Sequence, residues 1–381
     1  MDEQVKNGSK KWLWGIVIIV AILILGLGYW SQNSTPTEVV KVGVIAPLSG
    51  PQAEVGTYIK NGLQLAEEEI NNKSQLKVSL IFEDSQYKPD LAVAAAKKLI
   101  DIDKVKYIII GDGSSQALAV APLAEQNKVV YIAALSQASQ LTQAGDYIFR
   151  SQVNVTQEVS FYAPIIYKIV GNKKIDILGV NNDYGIDYAT KFSSFYSDLG
   201  GKVGVTEKYN PNDKDSRTQI LKVKADKPDA VLIVGVRNQT GSIIRQASDI
   251  GLNVKFFGTS PVEGKSFLEV AGSAGEGLLY PYPFDENSQF PVQKKYQEKY
   301  LAKFGLKSEQ NAANSYDALE LISHCLNRVG NNNEKVKDCM YTIKNFPGAT
   351  GSLTFDQNGD VSKPFILKTV KNGQFIKFNN N

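Results

Sequence analysis

Short apolar runs of strand-forming residues alternate with helical patterns along most of this chain, and this alternation restricts the possible fold more than any other feature. One helical pattern is Gly56–Asn71, where Ile59, Leu63, Ala66 and Ile70 recur at roughly the 3.6-residue period of an α-helix. Such alternation is typical of parallel sheets with helices on both faces and predicts an α/β fold. The predicted strands are Val39–Ala46, Val78–Phe82, Tyr107–Ile110, Val129–Ala133, Ile175–Val180, Val203–Lys208, Ala230–Val234, Val254–Phe257 and Leu278–Tyr280.

Two weak internal repeats indicate that the chain forms two similar sheets. The stretch YIIIGDGSSQALAVAPLAEQNKVVYI has the same order of strand, polar turn, helix and strand as AVLIVGVRNQTGSIIRQASDIGLNVKFF. The stretch VGVIAPLSGPQAEVGTYIKNGLQLA matches DILGVNNDYGIDYATKFSSF in the same way, and 381 residues are enough for two cores. Ligands of open α/β sheets bind beyond the carboxyl ends of the strands, so two facing lobes would place four such turns around one cleft.

The last third of the chain turns helical and then returns to strands, which suggests that it crosses between the lobes more than once. The predicted helices are Pro291–Phe304, Ala312–Val329 and Glu334–Lys344, and the predicted strands are Ser352–Phe355, Phe365–Val370 and Gln374–Phe378. Asn358-Gly359 and Asn372-Gly373 separate these strands, and Asn-Gly is a strong hairpin signal.

The N-terminal segment Trp12–Trp30 contains no charged residue and has aromatic rings at both ends. At roughly 1.5 Å per residue it nearly matches a hydrocarbon core of about 30 Å, so it is a membrane-spanning helix or a long signal sequence. Only Gly26-Leu27-Gly28 offers a cleavage site, and a poor one, which favours a retained anchor. Lys6, Lys10 and Lys11 precede this segment, whereas residues 31–38 after it contain no basic residue. We therefore expect a cytoplasmic tail at residues 1–11, an anchor at 12–30, a linker at 31–38 and everything beyond outside the cytoplasm.

Charge and cysteine content exclude several kinds of site. The formal net charge is +3 and the basic residues are interleaved with acids, so nucleic acid is not an expected partner. Cys325 and Cys339 are the only cysteines, and in an oxidising compartment they would form one disulfide, although two buried thiols are the alternative. His324 is the only histidine, which makes a zinc site a poor interpretation. We expect no metal and no cofactor.

The turn GDGSS, at residues 111–115, follows a buried strand and precedes a helical pattern. It lacks the third glycine of a dinucleotide fingerprint, because Gln116 stands there, and it lacks the Lys-Ser/Thr pair of a P-loop. A serine nucleophile needs a nearby base, and no serine-hydrolase spacing is present, so we expect no enzymatic activity. The remaining interpretation is a carboxylate seat, in which Ser114, Ser115 and the helix N-terminus bind an anion; the alternative is that the serines only cap the helix.

Several motifs together resemble one family. KVGVIAPLSGPQAEVGTYIKNGLQLAEEEIN, the GDGSS turn, NDYG and GATGSLTFDQNGDV occur in the order typical of type I periplasmic binding proteins of the leucine/isoleucine/valine-binding group. The resemblance covers nearly all of Val39 to Phe378. It implies two Rossmann-like lobes with parallel sheets, joined by a three-segment hinge. Lobe 1 would hold residues 39–151 and 282–350, lobe 2 would hold 152–281 and 351–381, and the crossovers would lie near Arg150–Val155, Leu279–Pro283 and Pro347–Leu353.

The resemblance also implies ligand-binding positions on both lobes. Where the family holds an amino group with an acid, this chain has Ser260, and Glu263 and Asp183 are out of register as substitutes. Val236 occupies an aromatic position and is followed by Arg237, which would form a surface salt bridge or bind a second ligand anion. The candidate ligand-binding residues are Ser114, Ser115, Leu135, Ser136, Gln137, Tyr184, Arg237 and Ser260.

The function implied is capture rather than conversion. We expect an extracytoplasmic substrate-binding protein of an ABC-type transporter, which binds an amino acid or a related small carboxylate or amide by hinge closure. Its partners would be the ligand, the permease subunits and, through the N-terminal helix, the membrane. The alternative is a ligand-sensing receptor subunit that signals through a partner protein.

Overall fold

The computed structural model describes Ile16, residues 38–74 and residues 76–378. The predicted tail and the predicted anchor, apart from Ile16, lie outside the described residues, as does the linker up to residue 37. Within the described part of the chain, no helix combines the length and the apolar character that a membrane span requires.

Fourteen strands are present among the described residues, and most begin and end within two residues of the predicted limits. They are β1 Val39–Ala46, β2 Lys77–Asp84, β3 Tyr107–Ile110, β4 Val130–Ala133, β5 Ile148–Arg150, β6 Lys174–Val180, β7 Lys202–Tyr209, β8 Ala230–Val234, β9 Lys255–Phe257, β10 Leu279–Tyr282, β11 Phe346–Gly348, β12 Gly351–Leu353, β13 Ile366–Lys371 and β14 Gln374–Lys377.

Eleven α-helices connect these strands in the described residues. They are α1 Ala53–Lys73, α2 Pro89–Asp101, α3 Ser114–Gln126, α4 Val155–Val170, α5 Asp183–Asp198, α6 Arg217–Asp226, α7 Arg237–Asp249, α8 Lys265–Ala271, α9 Pro291–Phe304, α10 Gln310–Val329 and α11 Asn333–Tyr341.

The first sheet has the strand order β2-β1-β3-β4-β5, and every pairing in it is parallel. All four residues of β3 and all four of β4 are buried, as expected for parallel strands covered on both faces. One face packs against α1, α10 and α11, and the other face packs against α2 and α3. We call this sheet and its helices the first lobe.

The second sheet repeats that strand order. Strands β7-β6-β8-β9-β10 are parallel and ordered like the first sheet, and α4 to α8 contribute to its core. The two halves of each internal repeat therefore occupy equivalent positions in the two sheets. Strand β1 is equivalent to β6, and β3 is equivalent to β8. We call this sheet and its helices the second lobe.

The C-terminal strands pair antiparallel, unlike the other strands of the two large sheets. Strand β13 pairs antiparallel with β10, and β14 pairs antiparallel with β13 through a turn in which Asn372 and Gly373 both have positive φ. That backbone conformation matches the twist of a tight hairpin, so the Asn-Gly prediction is correct here. At Asn358-Gly359, by contrast, only one isolated bridge forms, between Phe355 and Val361.

The chain passes between the lobes after β5, after β10 and after α11. Close to the first passage, the fully buried guanidinium of Arg150 forms an ion pair with Asp360 and donates a hydrogen bond to Thr142 Oγ1 at 2.8 Å. Asn154 Nδ2 donates to the same Asp360 carboxylate at 3.1 Å. This cluster ties the first and last crossover regions together. The residue limits of the two lobes stay a prediction.

Cys325 of α10 and Cys339 of α11 are bonded to each other, with an S–S distance of 2.11 Å. Both residues are buried in the core under one face of the first sheet. The bond therefore links two of the three helices that cover this face.

Candidate functional site

A small cavity of about 60 Å³ lies between the two lobes at the carboxyl ends of their strands. Each of the four turns that the sequence repeats pointed to contributes to it. Gln52 lies in the β1–α1 connection and Val55 in the first turn of α1, and Ser114 begins α3 after β3. Tyr184 lies at the start of α5 after β6, and Arg237 begins α7 after β8. A ligand in this cavity would contact both lobes at once.

Ser114 is the first residue of α3 and lines the cavity. Its Oγ accepts hydrogen bonds from the Ala138 backbone N–H at 3.1 Å and from the Ser136 hydroxyl at 3.4 Å. The hydroxyl hydrogen of Ser114 is therefore left to donate to another group. The first N–H groups of a helix have no partner within the helix and carry a partial positive charge, so this corner of the cavity suits a carboxylate.

Asp112 lies directly behind this corner and is completely buried. Its Oδ1 accepts a hydrogen bond from the Gly113 N–H at 2.9 Å. Burial raises the pKa of Asp112 from 3.8 to about 7, although the hydrogen bond from the Gly113 N–H opposes that shift. The titratable group nearest in sequence to Ser114 is therefore an acid, and burial favours its neutral form.

Ser115 does not line the cavity. Its hydroxyl donates to the carboxylate of Asp183, and its Oγ accepts from the Asp183 N–H at 3.3 Å. Asp183 begins α5, so Ser115 connects the two lobes beside the cavity rather than inside it.

The turn after β4 places its three predicted residues differently. Leu135 and Gln137 line the cavity, whereas Ser136 is buried behind Ser114. Gln137 Nε2 donates to Glu158 Oε2 at 2.7 Å, which joins the first lobe to helix α4.

Glu158 is a completely buried acid that the sequence analysis missed. It accepts hydrogen bonds from the Tyr188 hydroxyl at 3.1 Å, from Ser260 N at 3.1 Å and from Ser260 Oγ at 2.6 Å, in addition to that from Gln137. Burial raises its pKa while these donors oppose the shift. Ser260 therefore lies behind the cavity and supports this acid. The sequence did contain a signal for this acid, because Glu158 lies on the same apolar face of α4 as Val155 and Val159.

Tyr184 lines the cavity from the second lobe, and its ring packs edge to face against Tyr188 with centroids 5.8 Å apart. Its hydroxyl is buried and makes no hydrogen bond to any residue that the structure describes. Burial raises its pKa well above 10, so the hydroxyl keeps its proton and remains a donor.

Arg237 is buried, with 2% of its surface exposed, so the surface salt bridge that the sequence suggested is replaced by an internal one. Its Nη2 donates to Glu309 Oε2 at 3.0 Å and its Nε donates to the Glu263 carbonyl oxygen at 2.6 Å. Nη1 lies 3.9 Å from Glu54 Oε1 and makes no hydrogen bond within the described residues. Arg237 thus reaches from the second lobe to acids of the first, and its Nη1 has an ionic neighbour in Glu54 but no hydrogen bond within the described residues.

The sequence analysis did not identify the remaining polar lining. Gln52, Tyr87, Gln152, Gln310 and Asn311 also line the cavity. Gln152 donates to Gln310 Oε1 at 3.4 Å, and Gln310 donates to the Ser260 carbonyl oxygen at 3.1 Å. Because these residues lie in connections or at the start of α10 and belong to no motif, only the folded chain brings them together. Nowhere in the described part of the chain do three acidic, histidine or cysteine side chains form a group that could hold a metal ion.

A family model described as periplasmic binding protein matches residues 39–374. The chain is 26% identical over 344 residues to the Leu/Ile/Val-binding protein BraC3 of Rhizobium johnstonii. This alignment covers 88% of this chain and 93% of that protein. It is 28% identical over 353 residues to the leucine-, isoleucine-, valine-, threonine- and alanine-binding protein of Pseudomonas aeruginosa, with coverage of 90% and 92%.

Solved structures resemble it over a similar length. A leucine binding protein from Thermotoga maritima superimposes with a TM-score of 0.85 at 29% identity. The superposition covers 89% of this chain and 98% of that one. An ABC transporter solute binding protein from Rhodopseudomonas palustris, solved with 3,4-dihydroxybenzoic acid, has a TM-score of 0.80 at 25% identity, with coverage of 89% and 96%. The two-lobe α/β fold is the one these proteins share.

Proposed function

Because this chain belongs to the periplasmic binding protein family, we propose that it is the extracytoplasmic substrate-binding protein of an ABC-type transporter. Members of this family are solute-binding proteins and not enzymes, so the cleft serves for capture and release. The alternation of strands and helices, the two equivalent sheets and the cavity between them all support this assignment.

The observation that carries the proposal is that both lobes line a single cavity. A ligand that contacts both lobes binds the closed form more tightly than the open form and shifts the population toward closure. Ser114, Leu135 and Gln137 would contact the ligand from the first lobe, and Tyr184 and Arg237 from the second. Ser115, Ser136 and Ser260 would support the closed arrangement from outside the cavity.

The ligand in this proposal is an amino acid or a related small carboxylate or amide. The start of α3 and the free hydrogen of Ser114 favour an anionic group, because hydrogen bonds to a charged partner contribute about 1.5–3 kcal/mol each. The relatives support small carboxylates in general. One relative is named for five amino acids, leucine among them, and one similar solved structure contains 3,4-dihydroxybenzoic acid.

The location in this proposal is the outer side of a cell membrane. The apolar segment at residues 12–30 would anchor the chain with its N-terminus inside, and the permease subunits would receive the ligand from the lobes. Alkaline carbonate extraction of membranes from cells that express the full chain tests the anchor. The chain should remain in the membrane pellet, and its complete release would contradict the anchor.

A thermal-shift screen of the full chain against amino acids, amides and small organic acids tests the function. A ligand at 100-fold excess over its dissociation constant should add about 2.7 kcal/mol to the free energy of unfolding. Any hit is then titrated calorimetrically. If no compound of these classes raises the melting temperature or releases heat, the proposed function is wrong.

A further inference from the structure

Each buried carboxylate around the cavity already has its own partners. Glu158 accepts four hydrogen bonds, two on each oxygen. Glu263 accepts from the Tyr280 hydroxyl at 2.5 Å and pairs with Lys368 at 2.8 Å. Neither acid lines the cavity.

Glu309 is engaged in the same way. Its Oε1 accepts from the backbone N–H groups of Asn311 and Ala312 at 3.0 and 3.1 Å. Its Oε2 accepts from Asn311 Nδ2 at 2.9 Å and from Arg237 Nη2 at 3.0 Å. Within the described residues that line the cavity, Arg237 is the single formally charged side chain, and no carboxylate is among them.

The fully buried polar atoms of the lining that lack a hydrogen-bond partner in the described residues belong to groups that can donate. The Ser114 hydroxyl accepts twice and has its hydrogen left to donate. The Tyr184 hydroxyl and Arg237 Nη1 are buried without a hydrogen-bond partner in the described residues. The amides of Gln137, Gln152 and Gln310 are occupied with other protein groups. An unpaired buried donor is energetically unfavourable, so the cavity is best completed by a ligand that brings acceptors.

From this imbalance we propose that the ligand is a small carboxylic acid without an α-ammonium group, such as a 2-oxo acid or an aromatic acid, rather than an amino acid. The inference rests on the proposed function, since it names the substrate class of the same cavity. The carboxylate would lie at the start of α3 beside Ser114, and a second acceptor such as a carbonyl or hydroxyl oxygen would face Tyr184 and Arg237.

An ammonium group would be poorly accommodated for a physical reason. Moving a cation out of water without an anionic partner is strongly unfavourable, and the neighbouring buried acids could pair with it only by giving up their present donors. A matched oxo acid avoids that cost and adds an acceptor. Because about 1.4 kcal/mol corresponds to a factor of ten in affinity, we expect a preference of at least about tenfold.

Matched ligand pairs test the inference on the unmodified full chain. Calorimetric titration compares leucine with 4-methyl-2-oxopentanoate, and phenylalanine with phenylpyruvate, with 4-hydroxybenzoate as an acid that has no amino counterpart. We expect the tightest binder to be an acid without the ammonium group, at least about tenfold tighter than its amino acid partner. Tighter or equal binding of the amino acid, or binding of neutral amides alone, would overturn the inference and leave the proposed function standing. If nothing binds, both fail.

A variant that supplies the missing anion gives a second test. Gln52 lines the cavity, so Gln52→Glu would add a carboxylate there with little change in shape. The exposed Gln86 on the same side of the cleft does not line it, and Gln86→Glu is the matched control. We expect Gln52→Glu to reduce the preference for the oxo acid by about tenfold or more and Gln86→Glu to leave it unchanged. An unchanged preference in Gln52→Glu would contradict the idea that the missing carboxylate sets the selectivity.

Discussion

Ser114 and Ser115 are neighbours in the sequence, yet the start of α3 directs their hydroxyls to different partners. Ser114 faces the cavity and is held there by Ala138 and Ser136, while Ser115 contacts Asp183 of the second lobe. Successive residues of a helix point in directions about 100° apart, so only one of the two can face the cavity. The motif GDGSS could identify the pair but could not separate their roles.

Ser114→Ala tests the role of this hydroxyl. Loss of one hydrogen bond to a charged ligand, of about 1.5–3 kcal/mol, should weaken binding by roughly ten- to a hundredfold. Ser115→Ala removes no atom of the cavity lining and should have a smaller effect. Calorimetric titration of both variants with the ligand found in the screen provides the measurement, and a larger loss in Ser115→Ala would refute this assignment.

Asp112 should make stability depend on pH. Its folded-state pKa is raised to about 7 from 3.8, so between these values the folded chain holds a proton that the unfolded chain has lost. This contribution to the free energy of unfolding is therefore fully present at about pH 4 and below and decreases as pH rises toward 7.

Asp112→Asn removes that titration and keeps an oxygen for the Gly113 N–H. We expect the variant to be more stable than the unmodified chain at pH 7.5 and to depend less on pH between about 4 and 7, with roughly 1.4 kcal/mol for each unit of pKa difference. Denaturant unfolding at several pH values measures this. Parallel pH profiles for the two proteins would show that Asp112 is not the group responsible.

Most individual elements were predictable because their signals are local. The buried strands β3 and β8 and the helix α9 have the predicted limits, since an apolar run and a 3.6-residue period depend only on neighbouring residues. Strand β5 was missed because it has three residues and ends on Arg150, whose burial depends on a partner more than two hundred residues away, Asp360.

The disulfide is an element-scale constraint that joins α10 to α11 over a sequence separation of 14. Closing a loop of about 15 residues stabilises a fold by on the order of 3 kcal/mol in the chain-entropy model. The double variant Cys325→Ser with Cys339→Ser should lose about that amount in denaturant unfolding. The unmodified chain in strong reductant should unfold like the variant, and identical midpoints for the oxidised chain and the variant would contradict a stabilising bond.

At the scale of the whole molecule, hydrogen bonds between the lobes surround the cavity. Gln137 contacts Glu158, Ser115 contacts Asp183, and the Ser139 N–H donates to Asp187 at 2.8 Å. In the proposed hinge closure these contacts would form only while the lobes are together, so each would shift the balance between open and closed forms even where it touches no ligand.

Asp183→Ala should weaken ligand binding without altering the cavity lining. The loss of one exposed hydrogen bond, of about 0.5–1.5 kcal/mol, corresponds to a roughly two- to tenfold weaker affinity through a smaller closed population. Asp198→Ala, at the exposed far end of the same helix, is the control. X-ray scattering should show a smaller ligand-induced compaction in Asp183→Ala at equal ligand concentration, and equal affinity and compaction in both variants would rule out this role.

The sequence alone determined the α/β class, the two similar sheets, the family resemblance and the GDGSS turn, because strand and helix periodicity and turn composition are properties of short segments. The tertiary structure decided which polar groups meet at the cavity. Ser114, Tyr184, Arg237 and the glutamines come from connections far apart in the chain, and the partners that occupy Glu158 and Glu309 come from both lobes. Which donors remain free for a ligand depends on those long-range pairings, and no local pattern encodes them.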